Sequence, residues 1–222
     1  MATLLITGAG RGIGLEFARQ YAAAGWDVIA TVRDPAKAAD LTGLGVRVER
    51  LDMRDFAAVE DFPERLGGVP LDLFIANAGM SAAPSIDSAG AAQAWQDVHA
   101  VNAAAPTLLA TRLLSNVAAA QGKMIAISSQ MGSIADSSGG YIAYRASKAA
   151  LNAAWYALAR QWRGEQVTLA MLHPGWVQTD MGGPNAPLQP NHSVASMRRV
   201  IDDLTPAQSG AFLGHRGETI PW

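Results

Sequence analysis

The stretch Leu4-Leu5-Ile6-Thr7-Gly8-Ala9-Gly10-Arg11-Gly12-Ile13-Gly14 decides the fold of this 222-residue chain. Its first three residues form a short apolar run, as expected of a strand buried on both faces of a parallel sheet. From Leu15 onward apolar residues recur at helical spacing, and Gly25 is placed to end that helix. The order of strand, glycine turn and helix predicts a parallel α/β sheet.

The glycine turn has the properties of a phosphate-binding turn. The first N–H groups of a helix are free to donate, and glycines let an anion approach them without obstruction by Cβ atoms. The spacing Gly8-x-x-x-Gly12-x-Gly14 differs from the commoner G-x-G-x-x-G pattern, and a glycine-rich connection without a ligand is the alternative. Because the turn follows a predicted strand and opens a helix, we predict that it binds the pyrophosphate of a dinucleotide.

The composition narrows the class of protein. The net charge is −2, half of the residues are apolar and cysteine is absent, so we expect no nucleic-acid surface, no disulfide and no thiolate metal site. The four histidines lack metal-ligand spacing, and we predict no metal site. Because the sequence has no run long enough to span a membrane and no signal-peptide pattern, we expect no membrane association and a cytoplasmic location.

Predicted strands and helices alternate along the rest of the chain. Further strands are predicted at 28–32, 46–51, 71–76, 123–128 and 167–172, and long helices at 91–120, interrupted near Asn102 and Pro106, and at 141–162. We therefore predict an α/β fold, a single-domain Rossmann-type doubly wound parallel sheet over residues 1–222 with helices on both faces. Ligands are expected at the carboxyl ends of the strands. The turn-rich segment 182–190 is predicted to be a loop.

A tyrosine and a lysine in the second long helix form a candidate acid–base pair. Tyr144 and Lys148 lie one turn apart on one face, where the ammonium would lower the pKa of the phenol toward the working pH. A packed tyrosine beside a surface lysine is the alternative. Ser128 and Ser129 follow a predicted strand, where a hydroxyl can bind a substrate oxygen. Asn102 interrupts a long helix, and its side chain could reach the lysine through water.

Together these motifs resemble the short-chain dehydrogenase/reductase family over essentially the whole chain. Besides the glycine turn and the Tyr144-x-x-x-Lys148 pair, the matching elements are Asn77-Ala78-Gly79, Asn102, Ser129 and Pro174-Gly175-x-Val177-x-Thr179. Within the family, three stretches are similar to the C-factor and sniffer-type carbonyl reductases: 144–152, 173–177 and Ile220-Pro221-Trp222.

The resemblance implies four catalytic residues, Asn102, Ser129, Tyr144 and Lys148. Tyr144 would protonate a carbonyl oxygen, Ser129 would polarise that carbonyl, and Lys148 would hold the nicotinamide ribose. Asn102 would anchor a water molecule that passes protons to the lysine. The interval between Ser129 and Tyr144 is two residues longer than in many members, so Ser128 remains an alternative to Ser129.

The resemblance also implies a set of residues that contact a nicotinamide dinucleotide. Asp52 would meet the adenine, Asn77 the adjacent ribose, and Thr179 the nicotinamide amide. The implied set is Gly8, Arg11, Gly12, Ile13, Gly14, Arg33, Asp52, Met53, Asn77, Ala78, Gly79, Tyr144, Lys148, Pro174, Gly175, Val177 and Thr179.

The end of the second predicted strand indicates which dinucleotide is preferred. An NAD-specific site places an acidic residue near there, and this chain instead has Val32 followed by Arg33. The planar guanidinium of Arg33 suits a 2′-phosphate, and Arg11 could approach the same group from the other side. Pairing of Arg33 with Asp34 is the alternative. We predict a preference for NADP(H) over NAD(H).

These observations together predict an NADPH-dependent oxidoreductase that reduces a ketone or aldehyde to an alcohol. The alternatives are an NAD-dependent alcohol dehydrogenase of the same family and a cofactor-binding signalling protein of C-factor type. Four apolar residues near the strand ends could line a substrate pocket: Met80, Met131, Trp176 and Met181. The two long helices are apolar on more than one stripe, so we predict a homodimer or homotetramer.

Overall fold

The computed structural model describes residues 1–81 and 88–222, and its central feature is a sheet of seven strands, each parallel to its neighbours. The strands are β1 (Thr3–Ile6), β2 (Asp27–Val32), β3 (Arg47–Arg50), β4 (Leu73–Ala76), β5 (Lys123–Ile127), β6 (Thr168–His173) and β7 (Ala211–Gly214). Their order across the sheet is β3-β2-β1-β4-β5-β6-β7.

Helices connect the strands. They are α1 (Gly12–Ala23), α2 (Ala39–Thr42), α3 (Phe56–Leu66), α4 (Ala91–His99), α5 (Ala105–Arg112), α6 (Leu114–Ala119), α7 (Ile142–Gln161) and α8 (Pro190–Asp203). A π-helical turn, Ala100–Ala104, joins α4 to α5, and 3-10 turns lie at Pro35–Lys37, Gln130–Gly132 and Pro206–Gln208. In the two described ranges, no helix has both the length and the apolar character needed to span a bilayer.

Two apolar layers lie on opposite faces of the sheet. Because side chains alternate along a strand, Leu5 of β1 belongs to one layer, and Leu4 and Ile6 belong to the other. The first layer is completed by helical residues such as Trp155, and the second by residues such as Phe17. This two-sided cover confirms the predicted doubly wound sheet.

The strand order reverses between β1 and β4, and that reversal positions the glycine turn. In doubly wound sheets a ligand crevice opens at such a point, beyond the carboxyl ends of the strands. The Thr7 amide donates to the carbonyl of Ile75 at 3.1 Å, and the Ala9 amide donates to the carbonyl of Thr31 at 3.0 Å. The turn after β1 is thereby fastened to the ends of both neighbouring strands.

The predicted elements are present, with boundaries displaced by one or two residues in most cases. The interruption near Asn102 and Pro106 is the π-helical turn and the start of α5. Four elements were not predicted: α2, α3, α8 and β7. Helix α8 buries Val194, Met197 and Ile201, an i, i+3, i+7 pattern that was available in the sequence. Strand β7 has four residues and is too short for a clear pattern of its own.

Candidate active site

The glycine turn is tightly packed, and at two of its glycines there is no space for a Cβ atom. Gly8 has φ +67°, and a Cβ there would lie 2.7 Å from the Cα of Ala78. A Cβ on Gly14 would clash with the Gly8 carbonyl and lie 2.5 Å from Nδ2 of Asn77. Helix α1 and the Asn77-Ala78 segment therefore approach the turn as closely as backbone allows.

Thr7 and Asn77 hold this turn against the end of β4. The Thr7 hydroxyl accepts hydrogen bonds from the amides of Asn77 and Ala78, each at 3.1 Å. The Asn77 side chain donates to the carbonyls of Thr7 at 2.9 Å and Gly8 at 3.1 Å. The predicted ribose contact of Asn77 is thus accompanied by a structural role, because its amide nitrogen supports the turn.

The N-terminus of α1 suits an anion. Arg11 occupies the N-cap position in extended backbone, makes no side-chain cap and is followed by no acidic residue in the first turn. The N–H groups of that turn therefore have no side-chain carboxylate competing for them, and the helix dipole favours negative charge there. Gly12, at φ +56°, faces Thr179, whose Cγ2 would lie 3.3 Å from an added Cβ.

Ser129, Tyr144 and Lys148 meet at the carboxyl end of β5. The hydroxyl of Ser129 is hydrogen-bonded to the phenol of Tyr144. The Nζ atom of Lys148 donates to the carbonyl of Ile127 at 2.8 Å and lies 5.9 Å from the centroid of the Tyr144 ring. Lys148 is 5% exposed. The predicted pair is thus held on α7 and faces the end of the strand, which excludes the surface-lysine alternative.

Burial dominates the electrostatics of this group. Burial raises the pKa of Tyr144, and the hydrogen bond from Ser129 opposes the rise. Burial lowers the pKa of Lys148 from 10.5 to about 8. The pKa of Tyr144 is therefore raised, contrary to the expectation that the lysine lowers it toward the working pH. The reason is that desolvation of the phenolate outweighs an ammonium that lies several ångströms from the ring.

Asn102 lies in the π-helical turn, and its side chain makes three hydrogen bonds. Its Oδ1 accepts from the Met80 amide at 2.8 Å, and its Nδ2 donates to the Met80 carbonyl at 2.8 Å and to the Ser147 hydroxyl at 3.0 Å. The Ser147 hydroxyl in turn donates to the carbonyl of Tyr144 at 2.8 Å. Both amide protons are used, and Oδ1, which accepts one hydrogen bond, can accept a second, so the water bridge from this side chain to the lysine stays a prediction.

The two neighbouring serines at the end of β5 face different partners. The hydroxyl of Ser128 donates to Oδ1 of Asn152 at 2.6 Å, in a buried pair. The hydroxyl of Ser129 accepts from the Met131 amide at 3.1 Å and faces Tyr144. This arrangement favours Ser129 over Ser128 as the serine beside the phenol.

Comparison with known proteins agrees with this geometry. A sequence profile described as short chain dehydrogenase matches residues 2–189. The chain belongs to the short-chain dehydrogenase family. It is 41% identical to the C-signal protein of Myxococcus xanthus over 159 residues, which are 69% of this chain and 93% of that protein.

Two solved carbonyl reductases superpose on this family member over its full length. The NADPH-bound carbonyl reductase from chicken fatty liver has a TM-score of 0.90 and 34% identity, covering 100% of this chain and 99% of that one. Sniffer of D. melanogaster has a TM-score of 0.89 and 30% identity, with full coverage of both chains. The resemblance to C-factor and sniffer-type proteins is confirmed, and the chain is an enzyme of the oxidoreductase class.

At the end of β2, this short-chain dehydrogenase leaves Arg33 exposed. Val32 is buried, and its Cγ1 would lie 3.4 Å from a Cβ on Gly10, so this end of β2 borders the glycine turn. Asp34 accepts from the Ala36 amide at 3.2 Å and pairs with Lys37 at 3.5 Å. The alternative pairing of Arg33 with Asp34 is absent from the described part of the chain.

Arg11 has a partner that the sequence did not predict. Its Nη1 lies 2.6 Å from Oδ2 of Asp180, and the two side chains are 75% and 73% exposed. The approach of Arg11 to a 2′-phosphate therefore stays a prediction, and it would require Arg11 to leave Asp180. Exposed ion pairs contribute only about 0–1 kcal/mol, so this contact is weak enough to exchange for another anion.

The other predicted contact residues border the same edge of the sheet. Asp52 and Met53 follow β3, and the Asp52 carboxylate accepts from the Arg54 amide at 3.0 Å. Residues 174–179 follow β6, and a Cβ on Gly175, at φ +83°, would lie 2.8 Å from Leu188.

Two apolar residues predicted for the substrate pocket are open to solvent. Trp176 and Met181 are each more than half exposed, and Nε1 of Trp176 donates to the carbonyl of Gly182 at 2.8 Å. Met80 and Met131 are partly buried nearer the centre of the site. These four residues therefore do not enclose a pocket.

Three residues that sequence reasoning did not assign a role belong to the site. Thr7 supports the glycine turn, Ser147 links Asn102 to Tyr144, and Arg145 binds the segment that precedes α7. Thr7 and Ser147 lie inside the recognised motifs, so their position was a usable signal. Arg145 lies inside a motif as well, but its partners, three backbone carbonyls and the Ser138 hydroxyl, lie in a loop that no motif covers.

Proposed function

We propose that this chain, acting as one domain, is an NADPH-dependent carbonyl reductase in which Tyr144 is the general acid. The observation that carries the proposal is the convergence of Ser129, Tyr144 and Lys148 beside the strand-order reversal that also holds the glycine turn. The substrate class is a ketone or aldehyde, as the names of the two structural neighbours suggest.

The residues that would hold the dinucleotide fit such a ligand. The glycine turn offers an uncapped helix N-terminus for the pyrophosphate, and Gly79 leaves the space beside Lys148 open. A Cβ on Gly79 would lie 3.4 Å from Oδ1 of Asn102 and 3.7 Å from Nζ of Lys148. When bound, the reduced nicotinamide supplies the hydride that adds to the carbonyl carbon.

The protein's own contribution is proton delivery to the carbonyl oxygen. A raised pKa keeps Tyr144 protonated at neutral pH, so its O–H is available when negative charge develops on the substrate oxygen. Ser129, already beside the phenol, orients that oxygen. The O–H bond of Tyr144 breaks as the alcohol O–H forms, and the nearby Lys148 ammonium stabilises the phenolate that remains.

Asn102 acts in this scheme as a positioning residue. Its side chain joins Met80, after β4, to Ser147 on α7. The π-helical turn places this amide in the protein interior, and such turns occur frequently at functional sites. The link fixes the helix backbone that carries Tyr144.

Substitution of the tyrosine tests the proposal. Tyr144→Phe should retain NADPH binding, followed by cofactor fluorescence, and lose about 10²- to 10⁴-fold in turnover of an accepted ketone. The matched control is Tyr156→Phe, which removes a phenol hydroxyl further along the same helix. Turnover by Tyr144→Phe close to that of the parent would refute the assignment.

The same variant separates catalysis from signalling. The relative from Myxococcus xanthus is named C-signal, so a cofactor-binding signalling protein is the second candidate. A protein that only binds the dinucleotide would not oxidise NADPH with any ketone or aldehyde in a panel, before or after the substitution. A protein of the proposed function turns over at least one member of the panel and loses that activity in Tyr144→Phe.

We also propose that Arg33 gives a preference for NADPH over NADH. It is exposed at the end of β2, forms no ion pair in the described ranges and follows a residue that cannot repel a phosphate. A charge-assisted hydrogen bond of about 1.5–3 kcal/mol corresponds to a ten- to a hundredfold preference in kcat/KM. Equal values for the two cofactors would refute it.

A double substitution should reverse the preference. Val32→Asp with Arg33→Ala supplies a carboxylate for the ribose hydroxyls and removes the cation, so the ratio of kcat/KM values should move toward NADH. Arg163→Ala, which removes an exposed arginine beyond α7, is the charge-matched control. If the ratio of kcat/KM values for the two cofactors were unchanged in the double variant, residues other than Val32 and Arg33 would set the cofactor preference.

We further propose that the chain forms a homodimer or homotetramer through α4, α5 and α7. The outer sides of these helices keep Leu108 and Tyr156 more than one-third exposed, and Ala153 and Ala157 of α7 lie open between them. Light scattering at micromolar concentration should give a multiple of the chain mass. A species of 23.2 kDa alone would contradict the proposal.

A further inference from the structure

We propose that Arg145, next to the general acid in sequence, is a positioning residue that fixes the first turn of α7 and the loop from Ser129 to Tyr144. This inference rests on the proposed function, because it concerns the placement of Tyr144 against Ser129. The proposal is carried by the hydrogen bonds of the guanidinium, by the backbone at the start of the helix and by the packing of the loop.

Tyr144 occupies the third residue of α7, in a turn that has little support of its own. The N-cap residue is Tyr141, which makes no side-chain cap and has left-handed backbone angles of φ 48° and ψ 39°. The first turn of the helix contains no acidic residue. Uncapped first turns fray, and a left-handed non-glycine residue is unfavourable by about 1–2 kcal/mol. The general acid therefore needs an external support.

The Arg145 side chain supplies that support. Its Nε donates to the carbonyls of Gly139 at 3.2 Å and Gly140 at 3.1 Å, and its Nη2 donates to the Ser138 hydroxyl at 2.9 Å. Its Nη1 reaches the carbonyl of Met131 at 3.4 Å. One planar group thus binds both the residues that enter the helix and the residue two positions after Ser129.

The guanidinium of Arg145 binds uncharged oxygen atoms and no carboxylate of the described residues. Its four acceptors are three backbone carbonyls and one hydroxyl, and none of the ion pairs formed within residues 1–81 and 88–222 includes it. The two glycines have positive φ, +79° and +68°, which turns successive carbonyls toward the guanidinium. A lysine could not reproduce this fork, because an ammonium is a single point donor.

The rest of the loop is fixed by other contacts, which leaves residues 138–140 dependent on Arg145. Gly132 packs directly on α7, where a Cβ would lie 2.9 Å from the backbone of Lys148. The Ala135 amide donates to the carbonyl of Trp222 at 2.9 Å, and Gln130 is hydrogen-bonded to Asp136. These contacts hold the half of the loop that carries Ser129. Arg145 joins that half to the helix turn that carries Tyr144.

Arg145→Ala is the test, with Arg160→Ala, near the other end of α7, as the matched control. We expect kcat for an accepted ketone to fall about tenfold or more, with the Kd for NADPH unchanged within about twofold. Adding guanidinium at tens of millimolar should restore part of kcat in Arg145→Ala, and Arg145→Lys should not regain it. Guanidinium weakens folding, so its rescue cannot come from general stabilisation.

Hydrogen–deuterium exchange gives a readout that does not depend on catalysis. In Arg145→Ala the peptide covering residues 137–146 should exchange faster, while the peptide covering β5 should be unchanged. If Arg145→Ala does not fold, Ser138→Ala carries the test, with a two- to threefold loss of kcat and faster exchange in the same peptide.

The outcomes separate this inference from the proposed function. Unchanged kcat in Arg145→Ala, or a loss of kcat together with a loss of NADPH binding and no rescue, overturns the positioning role. Unchanged kcat in Ser138→Ala, where that variant carries the test, overturns it equally. Retained turnover in Tyr144→Phe overturns the proposed function, whatever Arg145→Ala does.

Discussion

Replacing the buried lysine of the site should stabilise the protein against unfolding, and the gain over the parent should be larger at neutral pH than at alkaline pH. Lys148 is 5% exposed, and burial lowers its pKa to about 8 from 10.5. Each pKa unit corresponds to about 1.4 kcal/mol, so the buried ammonium is unfavourable by about 3 kcal/mol at pH 7. Methionine has a similar length and removes the charge.

The sign of the pH dependence follows from proton binding. Between about pH 8 and 10.5 the unfolded chain holds the Lys148 proton and the folded chain has released it. The free energy of unfolding of the parent therefore rises with pH in this window and gains nothing from this group below it. The Lys148→Met variant lacks that rise. Its advantage over the parent should shrink by about 2–3 kcal/mol between pH 7 and pH 10.

Urea unfolding of parent and variant at these two pH values, without cofactor, measures the effect. Loss of the 2.8 Å hydrogen bond from Nζ to the Ile127 carbonyl affects the variant at both pH values, so the comparison largely cancels it. Lys37→Met, which removes a lysine whose side chain is 85% exposed, is the control and should show no comparable change. A difference between parent and Lys148→Met that is the same at both pH values would refute the reasoning.

Three further predictions concern the same site. Ser129→Ala should lower kcat for carbonyl reduction by about a hundredfold or more. Ser128→Ala should leave kcat unchanged and lower the free energy of unfolding by about 1–3 kcal/mol, because the buried Asn152 side chain loses its hydrogen-bond partner. The value of kcat/KM for NADPH should fall about tenfold per pH unit above pH 8 as the Lys148 ammonium is lost, and a flat profile to pH 10 would contradict this. Gly14→Ala should lower the free energy of unfolding by about 1–3 kcal/mol and abolish NADPH binding, measured by urea unfolding and cofactor fluorescence, because the new methyl group clashes with the turn.

The buried lysine illustrates why such a site is retained. An ammonium inside the protein opposes folding by an amount comparable to the effect of a severe mutation. The same burial brings the pKa of Lys148 close to neutral and keeps the Tyr144 phenol protonated. In the proposed function, these two effects prepare the site for proton donation at neutral pH. The protein is less stable against unfolding because its active site contains a buried charge.

Much of the site was predictable because its signals are local in sequence. The glycine turn, the Tyr144–Lys148 pair and the break at Asn102 each depend on residues within a few positions of one another. Their ordered occurrence was enough to predict the family, which the comparisons confirm. The length and position of α8 were also encoded by local periodicity, and that signal was overlooked.

The sequence by itself determined the strand–turn–helix start, the parallel sheet and the residues that reach its carboxyl edge, because backbone conformation follows from glycine placement and apolar period. Only the tertiary structure decided that Ser129 and not Ser128 faces the phenol, that burial raises the pKa of Tyr144, and that Arg145 binds the entrance of α7. These properties depend on which groups meet across distant segments and on how much water is excluded between them. Desolvation and hydrogen-bond partners belong to the packed protein, and no spacing along the chain records them.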